Sequence, residues 1–325
     1  MILFTESEIR QYVQLQPQVL TTIEKGFSSL QDSQVVMPPI MRIDFPESNG
    51  EIDIKSAYVK GVDKFAVKMS TGFFDNHLQG LPSGNGMMLL FSSETGVPRA
   101  VMLDNGYLTH LRTAAAGAIA ASYLSQETVD TVGVIGTGSQ ARCQIEALHF
   151  VRSFTRLLVF GRNQEHVKTY IDDVSGIFQG EIVACSTAEQ VVRQSELVIS
   201  TTPSETPVIK ADWIHPGLHI TAMGADAEHK NELEVQCFQA ADKIVCDSKQ
   251  QCLRLGELHH AYASGMMTDD SEVSELGAII SGQESGRLNE SEITICDLTG
   301  TGVQDTMIAV YAYDALVKHR AGTTF

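Results

Sequence analysis

Thr131-Val-Gly-Val-Ile-Gly136-Thr-Gly138-Ser-Gln140-Ala141 is the stretch on which the fold turns. Thr131 to Ile135 is apolar and β-branched, the composition of a strand covered on both faces. Gly136 permits a tight turn, and Gly138 leaves room for a phosphate to approach the backbone. Ala141, third in the fingerprint, lets the next helix pack close to the strand. That helix, through Ala147 and His149, aims its positive N-terminal end at a pyrophosphate. The pattern G-x-G-x-x-A alone is weak, because glycine turns match it by chance. Here a strand precedes it, a helix follows, and a second strand (Leu157 to Phe160) comes at the right distance. The reading is a dinucleotide site.

Downstream, strands and helices alternate. Candidate strands span 131–136, 156–161, 181–185, 196–202, 218–223, 243–247 and 293–297, with helical stretches between most of them. This predicts an α/β fold with a Rossmann-type, doubly wound parallel sheet over 116–302. In such sheets ligands bind at the carboxyl ends of the strands. Those ends carry Gly136, Gly161-Arg162-Asn163, Thr201-Thr202-Pro203, Met223-Gly224-Ala225-Asp226 and Asp297-Leu-Thr299-Gly300.

Upstream the pattern differs. A short strand and helices fill the first thirty residues, with Val19, Ile23, Phe27 and Leu30 forming an apolar stripe at helical spacing. From Ile40 the period becomes two. Strands at Ile40 to Phe45, Ile52 to Tyr58, Phe65 to Met69, Met87 to Phe91 and Ala100 to Leu103 are separated by Gly and Pro turns. This predicts an antiparallel or mixed sheet in an α+β domain covering 1–115, joined by the last helix within 303–325. Arg42 and Lys68 interrupt otherwise apolar strands; pattern alone places both on solvent faces. Leu108 to Leu124 is a helix of small residues, broken by Arg112-Thr113 near its start. A cation there opposes the helix dipole, so an anionic ligand is expected beside it.

At 325 residues the chain has room for two cores. The net charge of -17 argues against nucleic acid or an anionic membrane as partner. No apolar run approaches a membrane span, and Met1-Ile-Leu-Phe-Thr-Glu lacks the basic region and core of a signal peptide. The six cysteines are scattered without a C-x-x-C pair and read as reduced core residues of a cytoplasmic protein.

Three places offer chemistry. After the second strand, NAD-preferring folds place an acid for the ribose; Phe160-Gly161-Arg162-Asn163 has none. Arg162 could meet a 2′-phosphate, favouring NADP(H) over NAD(H), or stack on adenine. Asp226 follows an apolar strand and reads either as a general acid/base or as the N-cap of a helix reaching Leu233. His215/His219 has metal-like spacing, but Pro216-Gly217 breaks the helix that would align the pair; His259 and His260 diverge on a helix. No metal site is expected.

Leu108-Thr-x-x-Arg112-Thr-Ala-Ala, Gly136-x-Gly-x-Gln140-Ala, Met223-Gly-Ala-Asp226-x-x-x-Lys230-x-Glu-Leu, Gly256-Glu257-x-x-His260-Ala, Glu275-Leu-Gly and Asp297-x-Thr-Gly-x-Gly-x-Gln-Asp305 form a specific set together. The chain resembles the ornithine cyclodeaminase/μ-crystallin family over essentially its whole length. Gly80-Leu-Pro-Ser-Gly-Asn-Gly and Leu103-Asp-Asn-Gly-Tyr-Leu are similar to the subgroup labelled ectoine-utilisation cyclodeaminase-like. The resemblance implies a homodimer built through the antiparallel domain and a nicotinamide cofactor between the domains. Its members cyclodeaminate ornithine or lysine, or reduce imines such as Δ1-pyrroline-2-carboxylate and other ketimines. Matched residue by residue, it implies that Arg42, Lys68 and Arg112 hold a substrate carboxylate, with Thr299 nearby. Ser83, Arg112 and Thr113 would approach the cofactor, while Gly138, Ser139 and Gln140 hold the pyrophosphate. Thr201, Thr202, Met223, Gly224 and Lys230 would line the cofactor, and Asp226 would be the acid/base.

Two departures matter. Ornithine cyclodeaminases place an acid where this chain has Gly161-Arg162, and Val where it has Thr299. The expectation is therefore an NAD(P)H-dependent reductase of a small amino-acid-derived imine. The alternatives are a cyclodeaminase that recycles NAD and releases ammonia, and a non-catalytic, crystallin-like NADP-binding protein.

Overall fold

The computed structural model describes residues 1–32, 35–268 and 271–325. The chain divides into two compact units, Met1–Arg112 with Thr301–Phe325, and Thr113–Gly300.

The first unit is built on a mixed sheet. Its strands are β1 (Ile2–Thr5), β2 (Val35–Val36), β3 (Met41–Phe45), β4 (Gly50–Val59), β5 (Lys64–Phe73), β6 (Gly84–Ser92) and β7 (Pro98–Leu103). The order is β1-β7-β6-β5-β4-β2, with β3 also paired to β4 and a terminal strand, Thr323–Thr324, beyond β1. β4 to β7 run antiparallel, whereas β1 joins β7 in parallel. Helices α1 (Glu6–Tyr12) and α2 (Pro17–Ser29) follow β1. Thr5 opens α1 with a capping box, its side chain taking the Glu8 N–H while Glu8 returns to the Thr5 N–H. The C-terminal helix Gly302–Lys318 packs on β4, β5 and α2.

The two faces of this sheet differ in kind. On β4 the buried positions are Glu51, Asp53, Lys55, Ala57 and Val59, and the alternate Ile52 and Ile54 are only half-buried. Register places Arg42 opposite Asp53, and Lys55 opposite Lys68, so all four share one face. The other face carries Met41, Ile43, Ile54, Val67, Met69, Met87 and Leu89. Met41 and Ile43 are exposed.

The second unit is a parallel sheet. Its strands are β8 (Thr131–Ile135), β9 (Arg156–Phe160), β10 (Glu181–Ala184), β11 (Leu197–Ser200), β12 (His219–Ala222), β13 (Lys243–Cys246), β14 (Ser274–Glu275) and β15 (Thr294–Asp297), in the order β10-β9-β8-β11-β12-β15-β13-β14. Helix α3 (Tyr107–Leu124) leads into it, and α4 (Ser139–Leu148) follows β8. Alternate residues of β8, β9 and β11 feed two cores. Val132, Val134, Leu157, Val159, Leu197 and Ile199 join one with Ile145 and Tyr170. Ile135, Leu158, Val198, Ile220 and Ile295 join the other with Val191, Phe238 and Leu258. Burial on both faces accounts for the unbroken apolar runs in the sequence. β14 is too short for a period to reveal it.

Candidate active site

The carboxyl edge of the parallel sheet gathers the residues expected around a nucleotide. β8 ends in Gly136, which has φ +112. A Cβ at that position would lie 2.6 Å from Thr201 Oγ1, so turn and strand neighbour both require glycine. Gly138 N-caps α4 with extended backbone and carries no side chain to cap it. Nothing lies within 4 Å of where its Cβ would stand, which leaves an open cradle before the first N–H groups of the helix. Ser139 is exposed and Gln140 half-buried in that first turn, while Ala141 is buried. These residues fit a dinucleotide pyrophosphate.

The other strand ends add to this edge. Arg162, after β9, is exposed. Asn163 caps the next helix, its Oδ1 accepting from Glu165 N at 2.9 Å. Thr201 N donates to the Ile135 carbonyl at 2.9 Å. Thr202, Met223 and Gly224 are half-buried, as is Thr113 in α3. The Thr113 carbonyl accepts from Gln144 Nε2 at 2.9 Å. Thr299 is buried after β15, donating to Asp247 Oδ1 at 3.0 Å and accepting from Gln251 Nε2 at 2.7 Å.

Asp226 follows β12 on a loop. Its Oδ1 lies 2.6 Å from Lys230 Nζ; the lysine side chain is 6% exposed and the aspartate 39%. The helix that Asp226 would cap is not formed. The N–H groups of Glu232 and Leu233 donate to the Glu257 carboxylate at 2.7 and 2.9 Å rather than back along a helix. The capping alternative therefore fails, and the partly exposed carboxylate keeps an acid/base role open.

The first unit holds a buried cluster of charge. Lys68 Nζ lies 3.1 Å from Asp305 Oδ2, and Arg112 Nε lies 3.0 Å from Asp305 Oδ1. Arg112 Nη1 also donates to Gln304 Oε1 at 3.0 Å. Gln304 Oε1 accepts the Thr301 N–H as well, as part of the capping box that opens the C-terminal helix. One helix start thus sets both Asp305 and the Arg112 guanidinium. Burial pushes the Lys68 ammonium down to about 7; Asp305 opposes that shift, and Arg112 and Lys55 add to it. Burial also raises Asp305, but Lys68, Arg112 and Lys55 outweigh it and hold the carboxyl below its ordinary value. Nearby, burial pushes Asp104 up to about 6 although its Oδ2 accepts the Leu108 N–H.

Several expectations are corrected here. Lys68 is 1% exposed and Arg42 half-buried, so neither stands on a free solvent face. The charged face of the sheet is the covered one. Arg42 pairs with Asp44 at 2.8 Å, with Glu51, and with Asp53 at 3.5 Å, apart from the contacts that Asp305 makes. Arg112 sits in the second turn of α3, and the anion it meets is Asp305 of its own chain. Ser83 lies just before β6, its carbonyl accepting from Phe73 N at 2.7 Å.

No group of His, Cys, Asp and Glu suited to a metal occurs among the described residues. His219 is fully buried between Thr294 Oγ1 and Thr221 Oγ1, and burial pushes its ring down to about 3. The cysteines are free, and all but Cys143 are buried. Sequence reasoning gave no role to Glu51, Asp53, Lys55 or Asp305. The alternation Glu51-Ile-Asp53-Ile-Lys55, which sets three charges on one face of β4, is the signal in the sequence that could have found them.

The chain matches the model of the ornithine cyclodeaminase/mu-crystallin family over residues 1–320. It belongs to that family. A putative dehydrogenase of Rhizobium meliloti is 47% identical over 325 residues, covering 100% of this chain and 98% of the relative. An alanine dehydrogenase of Archaeoglobus fulgidus is 32% identical, covering 99% and 97%. Among solved structures, the Δ1-pyrroline-2-carboxylate reductase of Thermococcus litoralis in complex with NADH and L-proline is similar with a TM-score of 0.95, at 29% identity and full coverage of both chains. For this member of the ornithine cyclodeaminase/mu-crystallin family, the fold is that of the nucleotide-dependent reductases and dehydrogenases it resembles. No helix among its described residues is long and apolar enough to cross a membrane.

Proposed function

We propose that the chain is a nicotinamide-dependent reductase of a small imine derived from an amino acid, with Δ1-pyrroline-2-carboxylate as a candidate substrate. The observation that carries this reading is the pair of buried cations, Lys68 and Arg112, set on one buried carboxylate. Burying charge costs stability unless it is closely paired. Two cations against a single Asp305 leave positive charge for a substrate carboxylate.

A bound reduced nicotinamide supplies hydride to the imine carbon. Lys68 and Arg112 bind the carboxylate, and their charge makes the neighbouring C=N a better electron acceptor. Arg42, on the same sheet face as Lys68 and held by Asp44, Glu51 and Asp53, would reach the substrate carboxylate by exchanging one of these partners for it. Asp226, with Lys230 on Oδ1, delivers or orders the proton for nitrogen. Ser83, Thr113 and the Gly136-to-Gln140 turn would approach the nucleotide, together with Thr201, Thr202, Met223, Gly224 and Lys230. Thr299 would stand near the substrate.

NADPH is the proposed cofactor. Exposed Arg162, with no acid beside it, favours a 2′-phosphate. NADH in the Thermococcus litoralis relative makes the comparison of both cofactors the necessary control. A homodimer is also proposed. The apolar face of the first unit's sheet, with exposed Met41 and Ile43, is what a second copy would cover.

The missing ribose acid favours a cofactor released at each turnover over one retained through a deamination cycle. The test is a screen of cyclic imines and of keto acid plus amine pairs with NADPH and NADH. Reduction of one of them with matching cofactor oxidation is expected. Ammonia release from ornithine with catalytic NAD, and no imine reduced, would overturn the proposal.

A further inference from the structure

Glu232 is completely buried in the second unit, yet four donors converge on its carboxylate. Oε1 accepts from Thr202 N at 2.6 Å and Thr202 Oγ1 at 2.7 Å. Oε2 accepts from Ser200 Oγ at 2.9 Å and Gly224 N at 2.7 Å. An ionised carboxylate has acceptor sites for all four. Burial pushes the group up, and these same donors oppose the shift. Gly224 is held close enough that a Cβ there would fall 2.0 Å from the Thr202 carbonyl oxygen and 2.6 Å from Glu232 Cδ. The backbone of Glu232 is itself fixed, because its N–H and that of Leu233 enter the Glu257 carboxylate. Glu257 opens the helix Glu257–Ala263, whose Leu258 N–H is taken by buried Asp297 at 2.9 Å.

We infer that Glu232 is a positioning residue that staples the end of β11 to both ends of the Asp226 loop. The loop leaves β12 at Gly224 and returns at Glu232, so the bond from Gly224 N to Oε2 closes it into a ring. Asp226 and Lys230 lie on that ring, joined at 2.6 Å. The other carboxylate oxygen fixes Thr202 at the strand end beside the Gly136 turn. A single buried side chain therefore sets a proposed cofactor-lining residue and the loop that carries the proposed acid. Thr202 and Asp226 are consequently coupled: loosening the staple moves both. The inference rests on the proposed nicotinamide reading for what these residues touch, not for the geometry.

Glu232→Gln tests it with little change in shape. Whichever way the amide is turned, its NH2 faces either Thr202 N or Gly224 N, so one buried N–H loses its acceptor. Cofactor dissociation constants are measured on the full chain by nicotinamide fluorescence, alongside kcat and melting temperature. Glu196→Gln is the control. Glu196 accepts the Thr131 N–H at 2.7 Å at the opposite, amino-terminal ends of the strands. We expect Glu232→Gln to weaken cofactor binding about 10-fold and to lower kcat about 10-fold in addition, from the loss of a buried charge-assisted acceptor. Glu196→Gln should leave both unchanged at a comparable melting temperature. If Glu232→Gln does not fold, Ser200→Ala removes one donor and should weaken cofactor binding about threefold. A wild-type chain that binds cofactor, with Glu232→Gln (or Ser200→Ala in its place) unchanged in affinity and kcat, overturns the inference alone. A wild-type chain that binds neither cofactor overturns the nicotinamide reading and the inference with it.

Discussion

Replacing Asp305 by Asn removes the negative charge from a carboxylate 3.1 Å from Lys68 Nζ and 3.0 Å from Arg112 Nε. At an effective dielectric of about 20, each contact is worth about 5 kcal/mol of gross attraction. Removing one member of a buried ion pair costs about 3–5 kcal/mol net, because the remaining charge stays buried. Lys68 can escape that cost by losing its proton. Its ammonium is already pushed down to about 7, and Arg112 and Lys55 push further in the same direction. At about 1.4 kcal/mol per pH unit, the substitution should lower it by about two units or more.

The sign of the pH dependence follows from that shift. In the wild type the folded value of about 7 lies below the ordinary 10.5, so the folded state binds fewer protons between those values. The cost of the buried ammonium is full below pH 7, and stability recovers as pH rises toward 10.5. Function runs the other way, because carboxylate binding needs the ammonium. Wild-type kcat/KM should therefore fall as pH rises through about 7. Asp305→Asn should move this alkaline limb to about pH 5, lowering kcat/KM at pH 7 by about 50-fold and leaving cofactor affinity within about twofold. Kinetics from pH 5 to 9 with a stable buffer set decide it. A uniform loss with the limb left near 7 would refute the reasoning, since Asp305 would then be a packing element only.

Two further substitutions separate the other roles. Asp226→Asn keeps the shape and removes the ionisable group; kcat should fall about 100-fold with cofactor binding intact. Near-normal turnover would leave Asp226 as a partner for Lys230 and nothing more. Arg162→Asp should reverse the cofactor preference from NADPH to NADH, as a carboxylate repels the 2′-phosphate and accepts from the ribose. A wild type with equal or better kcat/KM for NADH would remove the basis for that prediction.

The parallel sheet was legible because its strands are buried on both faces. Seven of its strands were visible as apolar runs, and Gly136 fixed the first turn. The edge strand β14, Ser274–Glu275, has no period to read. The mixed sheet was legible as strands but misleading as faces. On β4 the rule that charge points to solvent inverts, because Glu51 and Asp53 are paired with Arg42 and Lys55 lies opposite buried Lys68, while Ile52 and Ile54 remain half-buried. Asp305 stood in a recognisable motif, yet its partners, Lys68 and Arg112, come from distant parts of the chain that only the fold brings to it. Likewise the stretch from Asp226 to Leu233 reads as a helix, and nothing in the sequence announces that Glu232 and Glu257 are buried. A tertiary acceptor, the Glu257 carboxylate, took up the Glu232 and Leu233 N–H groups that a local helix would have used, and the loop replaced the helix.

The most direct test of the central claim follows the hydride itself. Δ1-Pyrroline-2-carboxylate and cofactor deuterated at the transferring C4 position are mixed with the enzyme, and product and cofactor are both quantified. The account predicts proline carrying one deuterium at Cα for each NADPH oxidised, with no ammonia released. It is contradicted if the imine gains no deuterium while ornithine, given only catalytic NAD, is converted to proline and ammonia with no net change in reduced cofactor.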